Sequence, residues 1–308
     1  MPTATELMQS IVERHAALGL DSNTDPAALP ADASPHAIGY AAARRLGFIP
    51  ADAEVVASAW QCQSDRTGRF DPEAWPCEPA DFGIPAGPRI DAFAPCPPAL
   101  GLYAVLPSAE WVGRMARAGL PTVQLRFKSQ DAAAVRAEIR AAVEAVQGTA
   151  SLLFINDHWR EAIAAGAYGV HLGQEDLDTL TASELAEIRD AGLRLGLSTH
   201  GYAEMLRADA VGPSYLALGA VFPTTLKAMA TPPQGTGRLQ AYARLMRSRS
   251  LVAIGGIGAE QLPEVAASGV GSFAVVRAIT GAEQPEAAAA ALQQRWDSLR
   301  AAQAGLGR

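Results

Sequence analysis

The stretch GLYAVL at residues 101–106 is the first of eight short apolar runs that recur along the rest of the chain. The other seven occupy residues 122–127, 151–156, 169–173, 194–199, 215–220, 250–257 and 272–279. Segments rich in Ala, Glu and Arg separate many of these runs, for example residues 130–146, 181–191, 236–248 and 259–268. Such runs are typical of strands buried on both faces. Eight strand–helix units over about 200 residues predict an α/β fold of the (β/α)8 TIM-barrel type, with an open, doubly wound sheet as the alternative.

The first hundred residues differ in composition and are predicted to form an appendage. Residues 1–100 carry 6 Arg against 13 Asp and Glu, whereas residues 101–308 carry 19 charges of each sign. We expect short helices at residues 5–18, 35–46 and 51–61, the last of them capped by Asp52. The Pro-rich segment at residues 65–98 also contains aromatic residues, which favours an extended strap lying on another surface. We therefore divide the chain into a mostly helical, Pro-rich extension of unassigned role (1–100) and a catalytic barrel (101–308).

Composition also excludes several classes of function. Neither part of the chain carries a basic stripe, so a nucleic-acid partner is not expected. Cys62, Cys77 and Cys96 lack metal-site spacing, and their odd number without a signal peptide predicts reduced thiols and a cytoplasmic location. No stretch reaches 18 uncharged apolar residues, so no membrane partner is expected. The expected partners are small-molecule substrates, and a homo-oligomer is left open.

Polar side chains concentrate where the predicted strands end, and in a barrel these ends meet at one mouth. Gln124, Arg126 and Lys128 lie at alternate positions of the second strand, which places all three on one face. Asp157 ends the third strand and Asp176 follows the fourth. Two such carboxylates suit Mg²⁺, because water and substrate phosphate oxygens complete its octahedron. Taken alone, Asp176 could equally cap a helix.

The remaining strand ends offer hydroxyls, a cation and glycines. Ser198 and His200 follow the fifth strand, where they either contact substrate or begin a helix. His171, inside the fourth strand, is expected to be a hydrogen-bonded core histidine. The loop after the sixth strand contains Lys227, one of only two lysines in the chain, and Gly256 follows the seventh strand at the usual phosphate site of this fold. These groups predict electrostatic chemistry on phosphorylated substrates, with Mg²⁺ neutralising a leaving diphosphate.

At these residues the chain resembles the thiamine-phosphate synthase family, over about residues 101–280. The resemblance rests on QLRFK (124–128), IND (155–157), GVHLGQED (169–176), LSTH (197–200), VFPT (221–224) with Lys227, AIGGI (253–257) and GVGSFAVV (269–276). Members of the family are (β/α)8 barrels that join hydroxymethylpyrimidine diphosphate to hydroxyethylthiazole phosphate and release diphosphate. The resemblance implies a transferase that uses Mg²⁺ and a dissociative substitution, in which the C–O bond breaks before the thiazole nitrogen attacks.

The resemblance also implies a role for each matching residue. Arg126, Lys128 and Lys227 would be the catalytic cations, and Asp157 and Asp176 would bind Mg²⁺. The implied substrate-binding residues are Gln124, Leu125, Phe127, Asn156, Ser198, Thr224, Thr225, Leu226, Gly256, Val276 and Arg277.

Two positions depart from the family pattern. Leu226 stands where a Thr is usual, and Arg277 stands where a Ser is common. Loss of the hydroxyl would weaken the thiazole phosphate site, and Arg277 either replaces that contact with a bidentate one or points outward.

Two other functions fit part of the sequence. A thiazole tautomerase-like barrel enzyme needs neither metal nor diphosphate, and the presence of Arg126, Lys128, Asp157 and Asp176 together argues against it. A catalytically silent protein that binds thiamine precursors is supported only by the altered loop at Leu226.

Overall fold

Eight parallel strands close into a barrel in the computed structural model, which describes residues 2–20, 29–30, 32–87, 89–224 and 231–306. The strands are β1 (Gly101–Leu106), β2 (Thr122–Leu125), β3 (Leu152–Asn156), β4 (Gly169–Leu172), β5 (Arg194–Thr199), β6 (Tyr215–Leu218), β7 (Leu251–Ile254) and β8 (Ser272–Val275). Each strand pairs with its neighbour in the chain, and β8 pairs with β1 from Gly101↔Ser272 to Ala104↔Val275. The predicted (β/α)8 barrel is therefore confirmed, and the open-sheet alternative is excluded by the closure.

Helices separate the strands and also form three segments of the N-terminal region. The N-terminal helices are α1 (Ala4–Arg14), α2 (Pro35–Arg45) and α3 (Pro50–Thr67). The barrel helices are α4 (Ala109–Arg117), α5 (Ala132–Ala145), α6 (Trp159–Ala165), α7 (Gln174–Thr179), α8 (Ala182–Asp190), α9 (Tyr202–Val211), α10 (Gly235–Leu245), α11 (Leu262–Ala267), α12 (Arg277–Thr280) and α13 (Pro285–Leu306). In the part of the chain that the structure describes, no helix combines the length and apolar character needed to cross a lipid bilayer.

Several strands are shorter than their apolar runs. The run at residues 272–279 is half strand and half helix, because β8 ends at Val275 and α12 begins at Arg277. A short apolar run fits a buried strand and a buried helix equally well, so periodicity alone does not locate the boundary. The run at 250–257 also ends early, because Gly255 turns the chain with a φ of 103°.

Aromatic rings from distant strands meet inside the barrel. The ring centroids of Tyr103 (β1) and Phe154 (β3) lie 5.8 Å apart, and those of Phe154 and Tyr215 (β6) lie 5.2 Å apart. These three strands are not neighbours in the sheet, so the contacts cross the barrel interior. Gly196 in β5 makes room for this packing, since a Cβ atom there would overlap the Tyr215 ring.

The N-terminal helices pack on the barrel through one continuous hydrophobic cluster, which includes Ile11, Val56 and Trp60 together with side chains of the strands and barrel helices. Helix α3 extends to Thr67, six residues beyond the predicted end.

The expectation that Asp52 caps this helix is wrong. Pro50 begins the helix and Ile49 is its N-cap, so Asp52 lies in the first turn and is directed at another helix. Its Oδ1 accepts a hydrogen bond from the N–H of Ala203, 2.9 Å away.

Residues 93–100 form an extended strap across the N-terminal end of the barrel. Ser214, just before β6, donates its hydroxyl to the Ala94 carbonyl at 2.6 Å, and Ser250, just before β7, donates to the Pro97 carbonyl at 3.1 Å. The N–H of Leu100 donates to the hydroxyl of Ser272 at 2.7 Å. The strap therefore covers the face opposite the predicted mouth.

Candidate active site at the barrel mouth

The carboxyl ends of β2 and β3 bring two predicted amide side chains together. Gln124 is 4% exposed, and its Nε2 donates to Oδ1 of Asn156 at 2.8 Å. Each amide therefore orients the other, and both keep further donors and acceptors for other partners.

Three of the predicted charged residues lie close enough to Asp157 to influence its pKa. Partial desolvation raises the pKa of Asp157, the negative charge of Asp176 raises it further, and His158, Arg126 and Lys128 oppose the rise. Asp157 therefore lies within electrostatic range of one other carboxylate and of both cations. Among the described residues, Asp157 is also the one non-glycine with a positive φ, 66°. Such a backbone conformation costs about 1–3 kcal/mol and is concentrated at functional sites.

The Asp157 and Asp176 carboxylates suit Mg²⁺ in their chemistry. One oxygen of Asp176, Oδ2, accepts a hydrogen bond from the N–H of Gly173 at 2.7 Å, so this residue does cap α7. The negative charge of Asp176 nevertheless raises the pKa of Asp157, and a bound cation would reduce the repulsion between the two carboxylates. Mg²⁺ is commonly held by one or two carboxylates, water and substrate phosphate. In the described ranges no cluster of three or more His, Cys, Asp and Glu side chains occurs, so an all-protein metal cage is not formed there.

A chain of hydrogen bonds connects Ser198 at the mouth to the barrel interior. His171 Nε2 lies 2.8 Å from the Ser198 hydroxyl, and His171 Nδ1 lies 2.7 Å from the Tyr215 hydroxyl. Tyr215 in turn lies 2.8 Å from the hydroxyl of Tyr103. His171 is therefore hydrogen-bonded in the core as expected, whereas the two tyrosines were missed. Tyr is a common strand residue by propensity, so no local signal marks either position.

The direction of these hydrogen bonds depends on the tautomer of His171. Burial raises the pKa of both phenols, so both carry their hydrogen. If Tyr103 donates to Tyr215, then Tyr215 donates to Nδ1 of His171, and the tautomer with its hydrogen on Nε2 donates to Ser198. In that arrangement the Ser198 hydroxyl donates its own hydrogen to a group in the mouth.

The loop after β6 lies directly on the two glycines that follow β7. The N–H of Phe222 donates to the Gly255 carbonyl at 3.0 Å, and a Cβ atom on Gly256 would lie 2.6 Å from the Pro223 carbonyl oxygen. Gly256 also has a φ of 65°, which disfavours other residues. Because these two glycines have no side chains, the loop after β6 can lie directly against them at the barrel mouth. Thr224 is half-buried at the end of the described loop, whereas Thr225, Leu226 and Lys227 lie outside the described residues.

The structure places the remaining predicted residues in three different environments. The Leu125 side chain is 1% exposed in the apolar layer between strands and helices, and half-buried Phe127 packs against the same layer. Substrate in the mouth would reach Leu125 only through its backbone. Val276 is the N-cap residue of α12, and Arg277 is exposed in its first turn. His200 forms a 2.6 Å hydrogen bond from Nδ1 to Glu204, its neighbour one turn along the chain.

Comparisons with known proteins match the same part of the chain. A family model described as thiamine monophosphate synthase matches residues 102–279. The thiamine-phosphate synthase of Neisseria meningitidis serogroup B is 54% identical over 205 residues, which cover 67% of this chain and 98% of that protein. That of Cronobacter sakazakii is 53% identical over 190 residues, covering 62% of this chain and 89% of that protein. The solved thiamine phosphate pyrophosphorylase from Pyrococcus furiosus has a TM-score of 0.56 and 28% identity, covering 65% of this chain and 96% of that one.

Proposed function

The chain belongs to the thiamine monophosphate synthase family, and from this premise we propose how the residues at its barrel mouth perform the reaction. Its activity is that of a transferase of thiamine biosynthesis, which joins hydroxymethylpyrimidine diphosphate to hydroxyethylthiazole phosphate and releases diphosphate. The family match favours this activity over a tautomerase-like or a silent binding function. The proposal concerns the residues, the metal and the order of bond changes. It rests above all on the positions of Asp176, Arg126 and Lys128 within electrostatic range of Asp157, where β2, β3 and β4 end.

The pyrimidine ring would be held by the polar groups of β2, β3 and β5. Gln124 and Asn156 are fixed by their mutual hydrogen bond, so they present their remaining donors and acceptors in one arrangement. We propose that Tyr215 donates to His171 and that His171 donates to Ser198, so that Ser198 would donate its own hydrogen to an acceptor on the pyrimidine. A pyrimidine held in this way would have its reacting carbon near the charged groups at the ends of β2 to β4.

The diphosphate would lie among the cations and the acidic pair. Asp157 and Asp176 would hold Mg²⁺, which when bound neutralises charge on the leaving diphosphate. The Arg126 guanidinium can bind two phosphate oxygens with its planar fork, and the Lys128 ammonium is a compact charge that fits between oxygens. When the C–O bond breaks, its electron pair leaves with the diphosphate, where both cations stabilise the growing negative charge. Lys227, from the loop after β6, is proposed as the third cation.

The second substrate would enter from the side of β6 to β8. The thiazole phosphate would contact Thr224, Thr225, the backbone at Leu226, Gly256, and the Val276–Arg277 segment, where loops of this fold bind phosphate. The lone pair of the thiazole nitrogen then forms the new C–N bond to the pyrimidine carbon. No proton is transferred in this substitution, so no general base is required. We further propose that the enzyme works in the cytoplasm, because its three cysteines are unpaired thiols.

A direct assay tests the proposed metal and substrates. We expect the purified chain to form thiamine phosphate and diphosphate in equal amounts when both substrates and MgCl₂ are supplied. Excess EDTA should stop the reaction and added Mg²⁺ should restore it, with omission of either substrate as the control. A folded protein that makes no product with Mg²⁺ would contradict the proposal, and undiminished activity in EDTA would exclude the metal.

The hydrogen-bond chain behind Ser198 gives a second expected result. Tyr215→Phe removes the donor to Nδ1 of His171, so the hydrogen of the imidazole is no longer confined to Nε2. We expect about a tenfold lower kcat/KM, the effect of one hydrogen bond of roughly 1–1.5 kcal/mol. Tyr103→Phe also removes a buried hydroxyl but keeps the bond from Tyr215 to His171, and it should cost less than about threefold. Equal losses in the two variants, measured by steady-state kinetics, would show that the chain does not set the polarity of Ser198.

A further inference from the structure

The N-terminal extension packs on the two barrel helices that begin next to the proposed substrate-binding loops. Helix α3 packs against α9, and the short 3-10 turn Ala16–Leu18 packs against α10. Helix α9 begins three residues after the end of β5, which carries Ser198. Helix α10 follows the loop that starts after β6 and contains Thr224. The family match covers residues 102–279 and therefore assigns no role to the extension.

Arg238 of α10 is the main polar connection between the extension and the barrel. The residue is 2% exposed, and its Nε and Nη2 donate to the carbonyls of Leu18 and Leu46, each at 2.9 Å. Leu18 ends the 3-10 turn and Leu46 is the C-cap of α2, so both carbonyls lie at the negative ends of helical segments. The guanidinium also stacks on Phe48, 3.7 Å from the ring centroid. The extension therefore holds a buried cation of the barrel with three of its own groups.

The third donor of the same guanidinium reaches the loop after β6. Nη1 of Arg238 donates to Oε1 of Gln234 at 3.2 Å, and the Tyr242 hydroxyl donates to the same oxygen at 3.0 Å. Gln234 is 5% exposed, its N–H donates to the Ala220 carbonyl at 2.8 Å, and its Nε2 donates to the Pro232 carbonyl at 2.8 Å. The backbone N–H of Gln234 thus joins the two ends of the loop, and Arg238 holds the side chain of the same residue in place.

Asp52 of α3 makes a second polar contact between the extension and the barrel, next to the end of β5. Helix α9 has Gly201 as its N-cap, without a capping side chain of its own, and Asp52 Oδ1 accepts from the N–H of Ala203 at 2.9 Å. Gly201 is needed for this approach, since a Cβ atom there would overlap the Asp52 carboxylate. The carboxylate is 4% exposed, so the contact excludes water. The extension thereby fixes the backbone that follows Ser198.

We propose that residues 1–100 position the two substrate-binding loops, with Arg238 and Asp52 as the positioning residues. Arg238 fixes Gln234, whose N–H joins the ends of the loop after β6 beside the proposed thiazole phosphate site, and Asp52 fixes the backbone after β5 beside the proposed pyrimidine site. The assignment of each loop to a substrate rests on the proposed function. The anchoring of the loops rests on hydrogen bonds that do not depend on it.

Kinetics of the full-length chain with each substrate varied in turn test the two anchors separately. Asp52→Ala should raise the KM for the pyrimidine diphosphate about tenfold and change the KM for the thiazole phosphate less than about twofold. Asp52→Asn keeps an oxygen that accepts from Ala203, so it should restore values near those of the native chain. Arg238→Met should raise the KM for the thiazole phosphate about tenfold, and Arg238→Lys should raise it less, with the other KM unchanged in both.

Two matched control variants separate positioning from general stability. Asp81 is 5% exposed and bonds to Arg66 of α3, so Asp81→Ala removes a buried carboxylate contact that stays within the extension. Arg249 lies just before β7, on the face opposite the mouth. Arg249→Met removes its bidentate contact to Asp209. Both should lower the melting temperature and leave both KM values unchanged.

Amide hydrogen exchange gives a result that does not depend on catalysis. Asp52→Ala should speed exchange at Ala203, and Arg238→Met should speed exchange at Gln234, whereas neither control should. The inference is wrong if the anchor variants change both KM values equally or neither, or if exchange at these amides is unchanged. An inactive native chain would contradict the proposed function, and the exchange result alone would then decide the anchoring. Should Arg238→Met not fold, Arg238→Lys provides the same readouts.

Discussion

Asp157→Ala should lower kcat/KM by at least about a thousandfold, the largest effect expected of any single substitution at the mouth. The proposed Mg²⁺ site has only two protein ligands, so loss of one removes most of its affinity. A metal ion on a leaving group contributes several kcal/mol to transition-state stabilisation, and about 1.4 kcal/mol corresponds to a factor of ten in rate. Loss of the carboxylate should relax the unusual backbone at φ 66° only slightly, because the hydrogen bond from the N–H of residue 157 to the His171 carbonyl remains.

The measurement is steady-state formation of thiamine phosphate over a range of Mg²⁺ concentrations. Thiazole phosphate binding, followed by calorimetry, should be unchanged in Asp157→Ala because that substrate lies on the side of β6 to β8. Asp178→Ala is a suitable control, since this exposed neighbour of Asp176 pairs with Arg207 at 2.7 Å and does not face Asp157 in the proposed site. Activity of Asp157→Ala close to that of the native chain would show that the metal assignment is wrong.

Trp60→Ala should cost about 3–5 kcal/mol of unfolding free energy, the range for removal of a buried aromatic residue from a core. Trp60 is fully buried in the extension, where its ring packs 5.1 Å from that of Trp75 and 6.0 Å from that of Phe70. Because the extension and the barrel share one hydrophobic cluster, we expect a single unfolding transition rather than separate ones. The melting temperature should fall by roughly 10 °C.

Calorimetry and near-ultraviolet circular dichroism measure this effect. The matched variant is Trp111→Ala, because Trp111 is only partly buried and packs against Arg114, 4.6 Å from its ring centroid. We expect that variant to lose less than about 2 kcal/mol, mainly of cation–π and packing energy. If Trp60→Ala melts in two steps, with the barrel step unchanged, the extension folds independently and our view of a shared core is incorrect.

The barrel and the composition of its mouth could be predicted from sequence because both depend on local pattern. Apolar runs at regular intervals indicate buried parallel strands, and polar residues at the ends of those strands stand out against them. Gln124 and Asn156, placed on adjacent strands by this reasoning, do form a hydrogen bond. Asp176, Arg126 and Lys128 lie close enough to Asp157 to influence its pKa, whereas their binding of metal and diphosphate stays a prediction.

The residues that sequence reasoning missed have partners far away in the chain. Asp52 lies near the start of its own helix and is predicted to cap it, yet it caps α9, which begins 150 residues later. Arg238 looks like a surface residue of an amphipathic helix, and only the docked extension makes it a buried donor. Tyr103 and Tyr215 are ordinary β-strand residues by propensity. Their role depends on the hydrogen bond between Tyr215 and His171, which lies on a different strand. No local pattern contains these long-range contacts.

The contact of Gly196 with the Tyr215 ring has a consequence for the evolution of this chain. Any larger residue at position 196 requires a smaller one at position 215, because the ring fills the space that a Cβ atom would need. A smaller residue at 215 would lack the hydroxyl that His171 contacts. Selection for turnover should therefore keep position 196 a glycine, even though a glycine has no side chain to offer a substrate.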